Sequence, residues 1–95
     1  MAGTTVTVKV PTLLRGRTGG ARVVEAEGGT LREVLEDLDR RYPGFRAEVL
    51  ADDGAPRGYM NLYVNEEDVR YLGVLETEVG DGDTVSILPA VAGGR

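Results

Sequence analysis

The sequence predicts an α+β domain: a mixed sheet packed on one main helix. Three observations carry this. The N-terminal segment alternates apolar and polar residues with a period of two, one segment alone shows a long helical apolar stripe, and the second half holds short strand-like runs separated by turn residues. At 95 residues the chain suits one domain with one modest core, and a chain of this size buries about 60 to 70% of its unfolded surface.

Thr5 to Val10, "TVTVKV", sets Val6, Val8 and Val10 on one side and Thr5, Thr7 and Lys9 on the other, as in a half-buried strand. Pro11 to Ala21 has a loop composition with Gly16, Gly19 and Gly20, and Arg22 to Glu27 resumes as a strand with Val24 and Ala26 facing one way. The two strands form a hairpin with a long tip. Thr30 and Glu33 have capping-box spacing, in which each side chain satisfies an exposed backbone N–H at the helix start. Leu31, Val34, Leu35 and Leu38 then make one stripe, with Arg32, Glu33, Glu36, Asp37 and Arg40 assigned to the opposite, polar face. Tyr42-Pro43-Gly44 stops the helix. Phe45 to Leu50 suits a short helical turn, Ala51 to Gly58 a polar loop, and Asn61 to Val64 a third strand. Asn65 to Asp68 reads as a turn and Val69 to Leu75 as irregular or briefly extended. Asp81-Gly82-Asp83 is a tight turn that feeds a final strand, Thr84 to Leu88.

If the final strand inserts beside the first it runs parallel to it, because the helix supplies the crossover that parallel strands need. That arrangement is the β-grasp, or ubiquitin-like, roll. It divides the chain into a body, 1–89, and a flexible tail, 90–95, that ends Gly-Gly-Arg.

Composition narrows the chemistry. The chain has no cysteine and no histidine, which removes thiolate nucleophiles, ordinary zinc sites and imidazole acid–base work. Ser86 is its only serine and Lys9 its only lysine. Sixteen acidic against eleven basic residues give a net charge of −5, the wrong sign for tracking phosphates, which argues against a nucleic-acid partner. No segment has the apolar length that spans a bilayer, so a cytoplasmic protein without a membrane partner is expected. Gly19-Gly20 and Gly28-Gly29 bracket a strand and lack the lysine and helix of a phosphate loop. Asp81-Gly82-Asp83 lacks the later oxygen ligands of a calcium loop. No metal site is expected.

The tail is the informative segment. In a β-grasp roll the last strand is central, so everything after Leu88 leaves the body as an arm. Ala90 to Gly94 can reach roughly 17 Å when extended. Gly93 and Gly94 carry no Cβ, so the backbone there can enter a channel too narrow for side chains, and Gly94 can be approached closely. With Val85 and Ile87 facing the helix, Leu88 and Pro89 sit at the root of the arm on the open side of the sheet. Leu88 is placed to dock a partner there, and Tyr63, Thr7 and Lys9 are placed to extend that surface.

"DGDTVSILPAVAGG", Asp81 to Gly94, resembles the C-terminal signature of the MoaD/ThiS family of ubiquitin-like sulfur carriers, and within it the CysO-type carriers of actinobacteria. The likeness extends to "VTVKVPTLLRGRTGG", "TLREVLEDL" and "NLYVNEEDVRYLGVLET", covering nearly the whole chain. It implies a protein co-substrate of other enzymes rather than an enzyme. In the family an E1-like adenylating partner uses ATP to activate the terminal glycine carboxylate, and sulfur from a donor then displaces AMP to leave a thiocarboxylate. No cofactor is bound by the carrier itself. Carried over by position, Gly94 bears the acyl-adenylate and the thiocarboxylate, Gly93 gives the thin approach, and Val91 and Ala92 line the partner's entry channel. The sulfur-accepting partner is a PLP-dependent cysteine synthase, or alternatively a thiosugar synthase. A metalloprotease releases the product of the cysteine route.

Arg95 departs from the active pattern, since it ties up the Gly94 carboxyl in a peptide bond. The resemblance therefore implies a precursor. With no histidine or cysteine and one serine, the chain has no means of cutting this bond itself, so a protease acting in trans is expected. Two other functions compete: a ubiquitin-like modifier joined through Gly94 to lysines of targets, and a passive interaction module of the same fold.

Overall fold

The computed structural model describes residues 4–58 and 60–89. Its sheet has five strands: β1 (Thr5–Lys9), β2 (Val23–Glu27), β3 (Met60–Val64), β4 (Glu67–Asp68) and β5 (Thr84–Pro89). Two helices, α1 (Leu31–Arg41) and α2 (Phe45–Val49), lie between β2 and β3. The strand order is β2-β1-β5-β3-β4. Neighbours are antiparallel except β1 and β5, which run parallel with Thr7 opposite Thr84 and Lys9 opposite Ser86. This is the β-grasp roll expected from connectivity, with β5 at its centre.

The period-two pattern becomes two unlike faces. Val6, Val8, Val24, Ala26, Leu62, Val64, Val85 and Ile87 point to one side and are buried. Leu31, Val34, Leu35 and Leu38 of α1 meet them, each fully buried, and Phe45 and Val49 of α2 complete the same core. Burying apolar area at about 25 cal/mol per Å² makes this layer the main favourable term in folding. On the other face Thr5, Thr7, Asn61, Tyr63, Thr84 and Ser86 are half-buried, and Lys9, Val23, Glu25 and Leu88 are exposed.

Helix α1 starts as its spacing demands. Thr30 Oγ1 accepts from the Glu33 N–H at 3.3 Å, and the Glu33 carboxylate takes the Gly29 N–H at 2.7 Å, one residue earlier than in a strict capping box. Gly28 is required by close approach: a Cβ there would stand 2.8 Å from Glu33 Cβ and from Val34 N.

Several expectations need correction. The Pro11–Ala21 segment is not a plain loop but a 3-10 helix over Thr12–Thr18, because Leu14 drops into the core and Gly19 closes the segment with φ of 67°. The Asn65–Asp68 turn is shorter than expected. Asn65 and Glu66 alone make it, both with positive φ, and Glu67–Asp68 pair back on β3 as β4. Positive φ at both central residues matches the twist of a two-residue hairpin, and Asn65 is held there because its Oδ1 accepts the Thr84 N–H at 3.0 Å. Val69–Leu75 is neither extended nor irregular throughout but contains 3-10 turns at Val69–Tyr71 and Val74–Glu76, anchored by Val69 and Leu75 in the core. Strand β2 begins at Val23, β3 begins at Met60, and β5 continues to Pro89.

Asp37 is the clearest reversal. Assigned to the polar face, it is buried, and its carboxylate accepts the Glu27 N–H at 2.9 Å, Arg40 at 2.8 Å and Arg41 at 2.7 Å. It pins the last residue of β2 to α1, a use that helical periodicity does not reveal.

Candidate functional site

Strand β5 positions Leu88 and Pro89. On one side β3 accompanies it to its end, with Asn61 opposite Leu88 and Met60 opposite Pro89. On the other side the β1 ladder stops at Lys9 opposite Ser86. Pro89 has no N–H to offer a second neighbour, and it stands where that neighbour has already turned away. Val85 and Ile87 face the core, while Thr84, Ser86 and Leu88 face the open side. Leu88 is 48% exposed, as the alternation predicts. Leu88 and Pro89 thus stand at the exposed end of the central strand. Val91, Ala92, Gly93, Gly94 and Arg95, the remaining residues assigned to the site, lie outside the described residues.

Around Leu88 the sheet brings together side chains from four segments. Val23, Lys9, Ser86 and Tyr63 form one row across β2, β1, β5 and β3 by register. Tyr63 and Lys9 therefore flank the arm's strand, as the sequence suggested. Two shallow clefts meet at Leu88. One, about 230 Å³, is lined by Tyr63, Glu66, Ser86 and Leu88. The other, about 360 Å³, includes Lys9, Arg15, Arg22, Val23 and Leu88. Arg15, Arg22 and Val23 were not singled out from sequence. Val23 left a signal, since alternation in "RVVEAE" puts an apolar side chain on the face otherwise given to Glu25 and Glu27. Arg15 left none, because the position of a residue in an assumed loop is unreadable.

Burial would raise the Asp37 carboxyl, but the Glu27 N–H and the charges of Arg41 and Arg40 outweigh it and hold the group below its ordinary pKa. A side-chain hydrogen bond from Arg70 lowers Asp68, and one from Asn65 lowers Asp83. These carboxylates are kept ionised by structural partners, the reverse of the raised pKa that suits a general acid. Among the described residues no cluster of histidine, cysteine or acidic side chains could hold a metal ion. Nor is any helix there long and apolar enough to cross a membrane.

Five strands in this order over one helix, with a central strand that ends at an exposed edge, define a ubiquitin-like β-grasp protein. The model of the ThiS family matches residues 8–94, and the chain belongs to that family. It is 51% identical over 92 residues to the sulfur carrier protein CysO of Mycobacterium tuberculosis, covering 94% of this chain and 98% of the relative. The crystal structure of M. tuberculosis CysO superposes with a TM-score of 0.88 at 46% identity, over 90% of this chain and 99% of that one. The Amycolatopsis orientalis BexX/CysO complex contains a chain with a TM-score of 0.86 at 52% identity, over 94% and 99% of the two chains. The small archaeal modifier protein 3 of Haloferax volcanii is 34% identical over 68 residues, 72% of this chain and 73% of that protein.

Proposed function

We propose that this chain is a sulfur carrier protein whose working atom is the carboxyl carbon of Gly94. The observation that carries the reading is 51% identity to a sulfur carrier over nearly the full length of both chains. The exposed end of β5 supports it, since Leu88 and Pro89 stand at the surface immediately before the segment 90–95 that partner enzymes would receive. Gly94 is followed by Arg95, and the family match stops at Gly94. The first step is therefore hydrolysis of the Gly94–Arg95 bond by a protease in trans.

The freed carboxylate attacks the α-phosphate of ATP on an E1-like adenylating enzyme and expels pyrophosphate. Sulfide delivered by a sulfur donor then attacks the acyl carbon and expels AMP, which leaves a thiocarboxylate. Its sulfur anion is the nucleophile passed to the accepting synthase, PLP-dependent and cysteine-forming, with a thiosugar synthase as the other acceptor class. A metalloprotease separates carrier from product. Gly93 and Gly94 supply a backbone thin enough for the adenylating site, and Val91 and Ala92 line its approach. The carrier takes no catalytic part and acts where ATP is available, in the cytoplasm.

The test is an intact mass. Protein ending at Gly94, incubated with adenylating enzyme, ATP and sulfide, is expected to show the exchange of one oxygen for sulfur. Gly94→Ala is expected to lose it while melting at the same temperature, and protein retaining Arg95 is expected to remain unchanged. Conversion of the uncut protein at the same rate would overturn the reading. The likeness to an archaeal modifier favours a second one, attachment through Gly94 to target lysines. Isopeptide-linked adducts in cells without thiocarboxylate would establish that instead.

A further inference from the structure

We propose that the acidic cleft at the start of β5 is a docking site for a partner protein that presents an arginine side chain. The cleft lies at the other end of the central strand from Leu88 and shares no residue with the two clefts there. Nothing in this depends on the carrier reading.

Three observations converge. First, the walls are anionic and lack a cation. Glu67, Glu78 and Asp83 line a cleft of about 520 Å³, and among the described residues none of the three makes an ion pair. Glu76, the other carboxylate in the lining, is already matched by Arg32. Second, Thr77 lines the same cleft and is only 4% exposed, and its Oγ1 is the one buried side-chain polar atom among those described without a hydrogen-bond partner. Leaving a buried hydroxyl unbonded costs stability, and an occupant that donates to it recovers that cost. The hydroxyl lies close under the surface. Gly73 beside it is exposed, and a Cβ there would stand 4.0 Å from Oγ1, so residue 73 puts no side chain over the approach. Third, the cleft has an apolar side. Leu72, 38% exposed, lines it, and its chain neighbour Tyr71 is 85% exposed. Val69 and Leu75 are anchored in the core on either side of this pair.

Such a cleft calls for a ligand with several donors, positive charge and an apolar stem. A bare metal ion does not meet the need, because no three acidic side chains among the described residues converge to hold one. Arginine meets it: the methylenes lie along Leu72, and the planar guanidinium carries donors for the carboxylates and for the Thr77 hydroxyl at once. An exposed tyrosine beside the cleft is the kind of residue that anchors protein interfaces, which favours an arginine carried on a protein over a free small cation. The net charge of −5 draws a basic surface toward the chain.

The experiment titrates the isotope-labelled full chain with the peptide acetyl-Leu-Arg-Leu-amide and follows the backbone amide shifts by NMR. Saturable shifts confined to Glu67, Leu72, Thr77, Glu78 and Asp83 are expected. Acetyl-Leu-Lys-Leu-amide is expected to bind at least about threefold more weakly, since an ammonium group lacks the planar fork. Glu78→Gln is expected to raise Kd about threefold and Thr77→Val at least about fivefold, with Thr77→Ser close to wild type. Glu25→Gln, the same loss of charge on β2 at the opposite edge of the sheet, is expected to leave Kd within about twofold. Thr77→Val is also expected to melt no lower than wild type, because a hydroxyl without a partner adds nothing to the fold. Shifts spread over the acidic surface without saturation, unchanged Kd in Thr77→Val and Glu78→Gln, or a lowered melting temperature in Thr77→Val would overturn the proposal. Two other results would also overturn it: tighter binding of spermidine than of the peptide at these residues, making a free polyamine the occupant, or the same shifts on raising the protein concentration alone, making it a second copy. Thiocarboxylate formation at Gly94 is read separately, so each of these outcomes leaves the carrier reading where it stood.

Discussion

At the scale of single residues, Asp37 has the sharpest consequences. Its side chain is 9% exposed, while Arg40 and Arg41 remain largely in water. Ion pairs with exposed partners contribute little, so most of its value lies in the hydrogen bond from the Glu27 N–H. Asp37→Asn is expected to cost about 1–3 kcal/mol in chemical denaturation at neutral pH, because a charge-assisted bond at a buried β2–α1 joint is weakened. The pH dependence follows from the sign of the shift. The folded-state pKa lies below the ordinary value, so the contribution is complete above the unfolded pKa and is lost as pH falls through the folded one. Melting temperatures measured from about pH 6 to about pH 2 are expected to converge for wild type and Asp37→Asn at the acid end.

At the scale of elements, the junction between β2 and α1 decides whether the helix lies flat on the sheet. Gly28 donates its N–H to the Thr4 carbonyl at 2.9 Å while the first turn of α1 passes directly over its Cα. Its need for glycine is steric rather than conformational, since a Cβ would strike a backbone nitrogen and a side-chain carbon that cannot move independently. Gly28→Ala is expected to destabilise by about 1–3 kcal/mol, the usual cost of overpacking. At Gly29 an added Cβ would meet only the Glu33 carboxylate oxygen, at 3.5 Å, and Gly29→Ala is expected to be far milder. Denaturant midpoints of the two variants check the pair.

At the scale of the whole molecule, the sheet separates a buried face from an exposed one, and the carrier reading assigns stability to the first and recognition to the second. Ile87 and Leu88 are consecutive on the central strand, yet one is fully buried under α1 and the other half exposed. Ile87→Ala is expected to cost about 2–5 kcal/mol, the range for a core truncation, and to leave partner affinity altered only through the folded fraction. Leu88→Ala is expected to shift stability by about 0.5 kcal/mol or less while weakening docking of the adenylating enzyme. Thermal unfolding together with the KM for the carrier distinguishes the two outcomes. If Leu88→Ala unfolds the protein as Ile87→Ala does, the division between faces is wrong.

The sequence by itself determined the elements whose signals are local: alternation in "TVTVKV" and "RVVEAE", the α1 stripe, the Thr30 cap and the Pro43-Gly44 stop. From their order it also followed that β5, if it lay beside β1, would run parallel to it, and the tertiary structure supplied the pairing itself. The outward aspect of Leu88 followed from period two alone. Only the tertiary structure decided what depends on neighbours distant in sequence. Asp37 turns inward because a β2 amide waits for it, Leu14 makes a helix of a glycine-rich segment by finding the core, and Glu67–Asp68 becomes a strand because β3 lies beside it. The larger cleft at Leu88 belongs to the same class: Lys9, Arg15, Arg22 and Leu88 form no pattern along the chain and become one surface when β1 is placed between β2 and β5. Periodicity records which way a side chain leaves the backbone, and packing alone supplies the company it meets.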